Sequence, residues 1–388
     1  MVASADTMFD VLDGAFGSVG EIYFRRFMKS SLTDKWMIAA DFVIGAPEAV
    51  HDVFAFTVFP HYQEFTETLA GIAAIFPRDL KRTKVLTDEM VTFLRDTKRF
   101  HFCFLVDKCR YINGSVEGAR GAIAHAIRVV EGLDSGGLAS GEERRDSYIR
   151  ALRIVEEEAK AKRFNFRNFI DIHILGVLLA TIMLWIARHG ECRVVGLFPD
   201  RDKMTAGYKA VFNAITDLNH SGLCQRIGLI AARNIIAPSA ELLQSPDLFY
   251  DSLVRIPDYV AGALSRLDYH SRVLTSEQAK HKDLIERFTS DNPNLLIIQI
   301  SESIISLRAS TITLTTEPNR FPPVSIEELV EYIIAKAQRF RQSQRRSFRQ
   351  DLLDHASEWP HFSRMLRSLL RGVAAGHQGC VAVFNGEM

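Results

Sequence analysis

The chain lacks the marks of a secreted or zinc-ribbon protein. Its five cysteines, Cys103, Cys109, Cys192, Cys224 and Cys380, are odd in number, scattered over 388 residues and without a CxxC pair. Such spacing argues against a disulfide framework and fits a reducing compartment. Charge imbalance is missing too. The 47 basic residues equal the 47 acidic ones, so the field of the whole chain favours neither nucleic acid nor an anionic membrane. No basic stretch leads into an apolar core and a cleavage site at the start, so no secretory signal is expected and the expected location is cytoplasmic. Nor is there a GxxxxGK[ST], a GxGxxG after a strand, an HExxH or a GxSxG, which leaves phosphate-loop, dinucleotide, zinc-protease and serine-hydrolase chemistry without support. His51, His61, His101, His125 and His173 are dispersed and read as packing or surface residues.

Long apolar runs are scarce as well. Residues 174–187 are apolar apart from Thr181. That run is shorter than the roughly 20 residues a bilayer span needs, and Asp171, His173 and Arg188-His189-Gly190 bound it. It reads as a buried central helix with Trp185 inside the fold, and no membrane partner is expected. With 47% hydrophobic and 24% charged residues, the composition is that of an ordinary globular protein of one large or two modest domains.

What is present is a set of apolar strands that end in acids. Trp36-Met37-Ile38-Ala39-Ala40 runs into Asp41 and on through Phe42-Val43-Ile44, closed by Gly45 and Pro47. This is the pattern of a strand buried on both faces. A carboxylate there is costly unless a metal, a cation or a hydrogen-bond network compensates it; the plainer reading is a turn or cap residue. Val53 to Phe59 forms a second strand and a hairpin candidate with the first. Helical spacing follows over 62–76 and again over 87–96, the latter with Thr87 as N-cap.

Phe100 to Val106 is a third buried strand, ended by Asp107-Lys108. Residues 132–146 read as a glycine-rich surface loop, and one long helix is expected from about Tyr148 into the apolar run. Arg193 to Phe198 is a further strand, with Asp200 and Asp202 at its end. Strands alternating with helices assemble into a mixed sheet with helices on its faces. If the acid-tipped strands run parallel, their acids meet at one edge, where such sheets bind ligands. Asp258 follows Pro257 and reads as first-turn residue of a helix, where the dipole alone would satisfy its charge. Ala261 and Gly262 would let that helix approach a neighbour closely.

These stretches together (the Asp41 strand, Val106-Asp107-Lys108, Val194-Val195 leading to Asp200, and Asp258-x-x-Ala261-Gly262-Ala263) resemble a large RNase H-like domain family of bacteria and phages, described as a conserved domain of unknown function. The resemblance covers about residues 35–270 and is most specific around Asp258. It implies an α/β, RNase H-like mixed sheet flanked by helices, with acids from the first strand, a central strand and a late helix at one site. Carried over, those are Asp41, Asp200 and Asp258 as catalytic residues, with Asp107 and Asp202 as further metal ligands. Carboxylates of this kind suit Mg2+ or Mn2+, and two such ions would align water for attack on a phosphodiester. The implied activity is a metal-dependent nuclease or phosphodiesterase. Members of the family place Glu after the first-strand Asp, whereas Phe42 stands here. The alternative is therefore an inactive module that binds nucleic acid or a protein partner.

The expected organisation is an N-terminal helical extension at 1–34, the RNase H-like domain at 35–270 and a mostly helical extension at 271–388. Residues 294–300 read as a strand or a buried helix segment, and residues 310–316 alternate. Ser325-Ile326-Glu327-Glu328 opens a helix. Beyond it Arg341, Arg345, Arg346 and Arg349 form a basic stripe expected to contact the phosphates of DNA or RNA. The competing reading of that stripe is a solvated helix face.

Overall fold

The structure, a computed structural model, describes residues 5–343 apart from 18, 63–64, 79, 109–115, 133–140, 162–163, 233, 246–247, 269–272, 277, 303–306 and 315–323. Two N-terminal helices, α1 (Ala5–Phe16) and α2 (Val19–Ser30), precede a hairpin of β1 (Lys35–Val43) and β2 (Asp52–Pro60). Then come α3 (Phe65–Ile75), α4 (Asp88–Arg95), β3 (Phe100–Val106), α5 (Val116–Gly132), α6 (Gly141–Lys160), α7 (Phe166–His189) and β4 (Val194–Pro199). The short α8 (Lys203–Ala206), α9 (Val211–Ile227), β5 (Asn234–Ile236), α10 (Ala240–Gln244) and α11 (Asp251–Leu264) follow. A two-residue ladder of β6 (Leu267–Asp268) and β7 (Val273–Leu274) leads to α12 (Ala279–Asp283), β8 (Leu295–Glu302) and β9 (Leu307–Ile312).

The main sheet has seven strands in the order β5-β4-β1-β2-β3-β8-β9. β1, β2 and β3 form an antiparallel meander. β4 adds in parallel to β1, β5 in parallel to β4, and β8 in parallel to β3; only the edge strand β9 reverses again. Strands β1, β3, β4, β5 and β8 therefore end at the same edge. The fold is mixed α/β, as the strand and helix patterns lead one to expect.

The compact unit runs from Met1 to Ser325, so the boundary expected at 270 does not hold. Phe102 pairs with Leu296 and Phe104 with Ile298. Apolar strand residues of the supposed extension thus complete the core sheet. Helix α13 (Ile326–Ser343) belongs to a second unit and begins just after Ser325 as expected. Arg341 lies in that helix, while Arg345, Arg346 and Arg349 lie outside the described residues.

Alternation assigns each strand residue to a face. Trp36, Ile38 and Ala40 join the cluster that contains residues of α1, α2, α5, α6, α7 and α9, whereas Met37 and Ala39 pack with residues of α3, α4 and α11. The single long helix expected from Tyr148 is two helices, α6 and α7, and α6 starts seven residues earlier, inside the expected loop. Asn165 caps α7 by accepting from the Asn168 N–H at 3.1 Å.

At 24 residues α7 is longer than the apolar run alone and would be long and apolar enough to cross a bilayer, yet 94% of its apolar window is buried inside the fold. Trp185 is fully buried and stacks on Phe16 at 4.0 Å. Helix α9 crosses α7 at Gly176, where an added Cβ would lie 2.5 Å from Ile215 Cγ2 and 3.3 Å from the Thr216 nitrogen. Gly176→Ala is therefore expected to cost about 1–3 kcal/mol through overpacking. Urea unfolding measures it, and an unchanged midpoint would contradict the close α7–α9 contact.

Candidate active site

Asp41 sits two residues before the end of β1, on the α11 face set by Met37 and Ala39. In the neighbouring strand Pro199 is the partner of Ala40, and the Asp200 N–H donates to the Ala40 carbonyl at 2.8 Å. The parallel pairing thus sets Asp200 beside Asp41. The third acid comes from above the sheet. Helix α11 begins at Asp251, so the expectation that Pro257 and Asp258 open it does not hold. Pro257 lies inside the helix, where its ring nitrogen leaves the Leu253 carbonyl without its usual i−4 donor. Asp258 is therefore in the body of the helix, beyond the first-turn positions that the dipole favours.

Two hydrogen bonds of Asp258 and one of its neighbour Leu80 bear on its position. Its Oδ2 accepts from the Leu80 N–H at 2.8 Å. Its carboxyl group hydrogen-bonds the carboxyl group of Asp41. The Lys280 ammonium, itself buried, donates to the Leu80 carbonyl at 2.9 Å, so the backbone of one residue, Leu80, is held by the acid through its N–H and by a lysine through its carbonyl. The helical turn Leu80–Arg82 reaches α11 this closely because residue 262 is glycine: a Cβ there would meet Leu80 Cδ2 at 2.2 Å. Close approach at Gly262 is what the small residues after Asp258 imply.

Burial raises the Asp41 pKa well above its ordinary value, and the charges of Asp258 and Asp200 raise it further. Asp200 is also raised, first by burial and then by Asp251 and Asp202, against the lowering effects of the Arg201 backbone and side chain. Without a cation, the Asp41–Asp258 pair keeps a proton that an ordinary aspartate would lose. His281 lines the same cleft and is pushed down to about 4 by burial, Lys280 and Arg266, which keeps it neutral at pH 7.

The cleft has a volume of about 690 Å3 and is lined by Asp41, Asp200, Asp202, Asp251 and Asp258. Cations stand around these acids. Arg78, Lys81 and Arg82 form one wall, Arg255 and Arg266 come from and just after α11, and Arg201 follows β4. Asp251 pairs with Arg78 at 3.4 Å and with Arg255 at 3.9 Å. The sequence does hold a sign of this face. Asp251, Arg255, Asp258 and Gly262 recur at spacings of four, three and four, which puts them on one side of a helix; that pattern is hidden once the helix is started at Pro257.

Two expected ligands behave differently. Asp107 follows β3 at the right edge but does not line the cleft. Strand β2 lies between β3 and β1, a separation of two strand spacings, roughly 9–10 Å. Asp202 is on the rim, and its carboxylate caps α8 by accepting from the Met204 N–H at 2.8 Å. Among the described residues, no three His, Cys, Asp or Glu side chains converge closely enough to hold a metal ion as they stand. Asp41, Asp200 and Asp258 thus share a cleft without meeting at one point. The donors fit a hard divalent ion in kind, since all are carboxylate oxygens.

No family model, curated protein or solved structure matches this chain. The functional reading therefore rests on the geometry of the cleft.

Proposed function

We propose that the chain is a divalent-metal-dependent phosphodiesterase acting on nucleic acid, with an RNase H-like core. The observation that carries this reading is the carboxylate pair of buried Asp41 and half-buried Asp258 beside Asp200, at the strand-end edge of the sheet and ringed by arginine and lysine. First strand, neighbouring strand and late helix each supply one acid, which is the arrangement that the resemblance implies.

Asp41, Asp258 and Asp200 would hold Mg2+ or Mn2+, which supplies Lewis-acid activation of water and stabilisation of the leaving oxygen. The chain's own residues do the rest. Lys81 and Arg82 offer positive charge to a phosphodiester that the acids would otherwise repel. The Leu80 N–H and the Lys280–Leu80 contact fix the position of Asp258. Asp251 orients Arg78 and Arg255 along the wall.

The second reading, a module without catalysis that binds nucleic acid or a protein, draws on the lack of three converging ligands among the described residues. Phe42 gives it less support. Phe42 lies along the cleft, but its ring packs on Phe54 at 5.7 Å with the cluster on the opposite face, so by strand alternation a glutamate in that place would start from the face opposite Asp41. Calorimetric titration with Mn2+ separates the two readings. Binding by the wild type that Asp258→Asn abolishes is the expected result; absence of binding by the wild type would remove the enzymatic reading.

A further inference from the structure

Resting on the phosphodiesterase reading, we propose that Phe249 is a stacking platform for an unpaired base, and that the cleft takes a single strand of nucleic acid. Among the described residues Phe249 is the phenylalanine that stands out as exposed, at 63%. It is not a loose surface ring. Tyr250 meets it at 5.2 Å, Phe198 at 6.4 Å and Phe65 at 6.4 Å, each at a steep interplanar angle. A ring fixed from three sides loses little freedom when a base stacks on it.

Its place relative to the acids is fixed by register. Phe198 is the β4 partner of Ala39, one same-face step of roughly 7 Å before Asp41. Tyr250 donates its hydroxyl to the Pro199 carbonyl at 3.1 Å, next to Asp200, and directly precedes Asp251 of the cleft lining. At the other end of the cleft, α11 reaches the Leu80–Arg82 turn at Gly262. Eleven residue steps of helix lead from Asp251 to Gly262, about 16 Å of rise. Phe249 is thus not itself part of the cleft lining but stands next to its Asp251 end, with Lys81 and Arg82 at the Gly262 end and the acids between.

The ligand that matches this order carries flat π-faces and phosphates along one chain. In a duplex both faces of a base are covered by its neighbours, so a protein ring can stack only on a strand whose bases are free. Stacking on an aromatic residue tolerates any base, which leaves strand state rather than sequence as the property selected.

The test uses the full-length chain in EDTA, where hydrolysis is silent, and reads fluorescence anisotropy of labelled oligothymidylate. An abasic strand of equal length is the control. Phe249→Ala is expected to weaken oligothymidylate binding about tenfold and to leave the abasic strand unaffected. Phe249→Trp should bind at least as tightly as the wild type, and the double change Lys81→Gln, Arg82→Gln should weaken both strands. Equal binding of oligothymidylate by wild type and Phe249→Ala, an equal loss on the abasic strand, or no binding by the wild type would overturn the proposal. A chain that binds through Phe249 but takes up no Mn2+ would instead sink the phosphodiesterase reading and keep this one.

Discussion

Asp41→Asn is expected to lose hydrolysis and to gain stability at neutral pH. The loss should be on the order of 10²–10³-fold, the usual cost of removing one electrostatic group at a reacting centre. The gain follows from linkage. Asp41 is raised above its ordinary value of 3.8 by burial and by the charges of Asp258 and Asp200. The folded chain therefore keeps a proton that the unfolded chain releases. Its stabilising effect is complete below about 3.8 and is lost as pH rises from there through the folded pKa.

Asparagine has no charge to bury and can still donate a hydrogen bond to Asp258. Wild type and variant should melt together in acid and diverge as pH rises, with the variant higher. Each kcal/mol corresponds to about 2–4 °C for a domain of 150–250 residues. Mn2+ should raise the wild-type melting temperature and leave the variant where it was. Thermal scans from pH 4 to pH 8 (about the span over which carboxylates titrate) with and without the ion check this. A variant less stable than wild type at pH 8 would contradict the account of the pair.

Trp185→Ala should produce the largest loss of stability. The ring is fully buried, stacks on Phe16 and lies 5.4 Å from Phe102 of β3. Its Nε1 donates to Asp13 at 3.0 Å, and Arg188 donates to the same carboxylate. One side chain therefore ties α1, α7 and the sheet together. Truncation of a buried aromatic to alanine costs about 3–5 kcal/mol, against a total stability of about 5–15 kcal/mol for a typical domain. Trp185→Phe keeps most of the apolar area and loses the hydrogen bond, worth about 1 kcal/mol. Urea midpoints of the two variants measure the difference, and equal midpoints would show that the cavity term is negligible.

Much of the sheet was legible because its strands are continuous apolar runs, and the chain has few of them. Asp41 and Asp200 could be located for the same reason: a carboxylate stands out at the end of such a run. Asp107 carries the same signal, yet it is excluded by the antiparallel insertion of β2, which no local pattern reveals. Asp258 was legible as a residue and illegible as a position, because a proline inside a helix and a proline opening one look alike in sequence. The domain limit at 270 fails for a topological reason. The run at 294–300 shows that a strand exists but not that its partner is β3.

That last pairing has a consequence for how the chain comes into being. β3 is buried along its whole length, yet its ladder with β8 cannot form until the intervening segment, including the whole of α5 to α12, has left the ribosome. Until then an apolar strand edge stands open, the kind of edge that pairs with other chains. Non-local pairing of this sort closes slowly. The interval between synthesis of β3 and arrival of β8 is thus when the nascent chain is most exposed to misassembly and most in need of a chaperone.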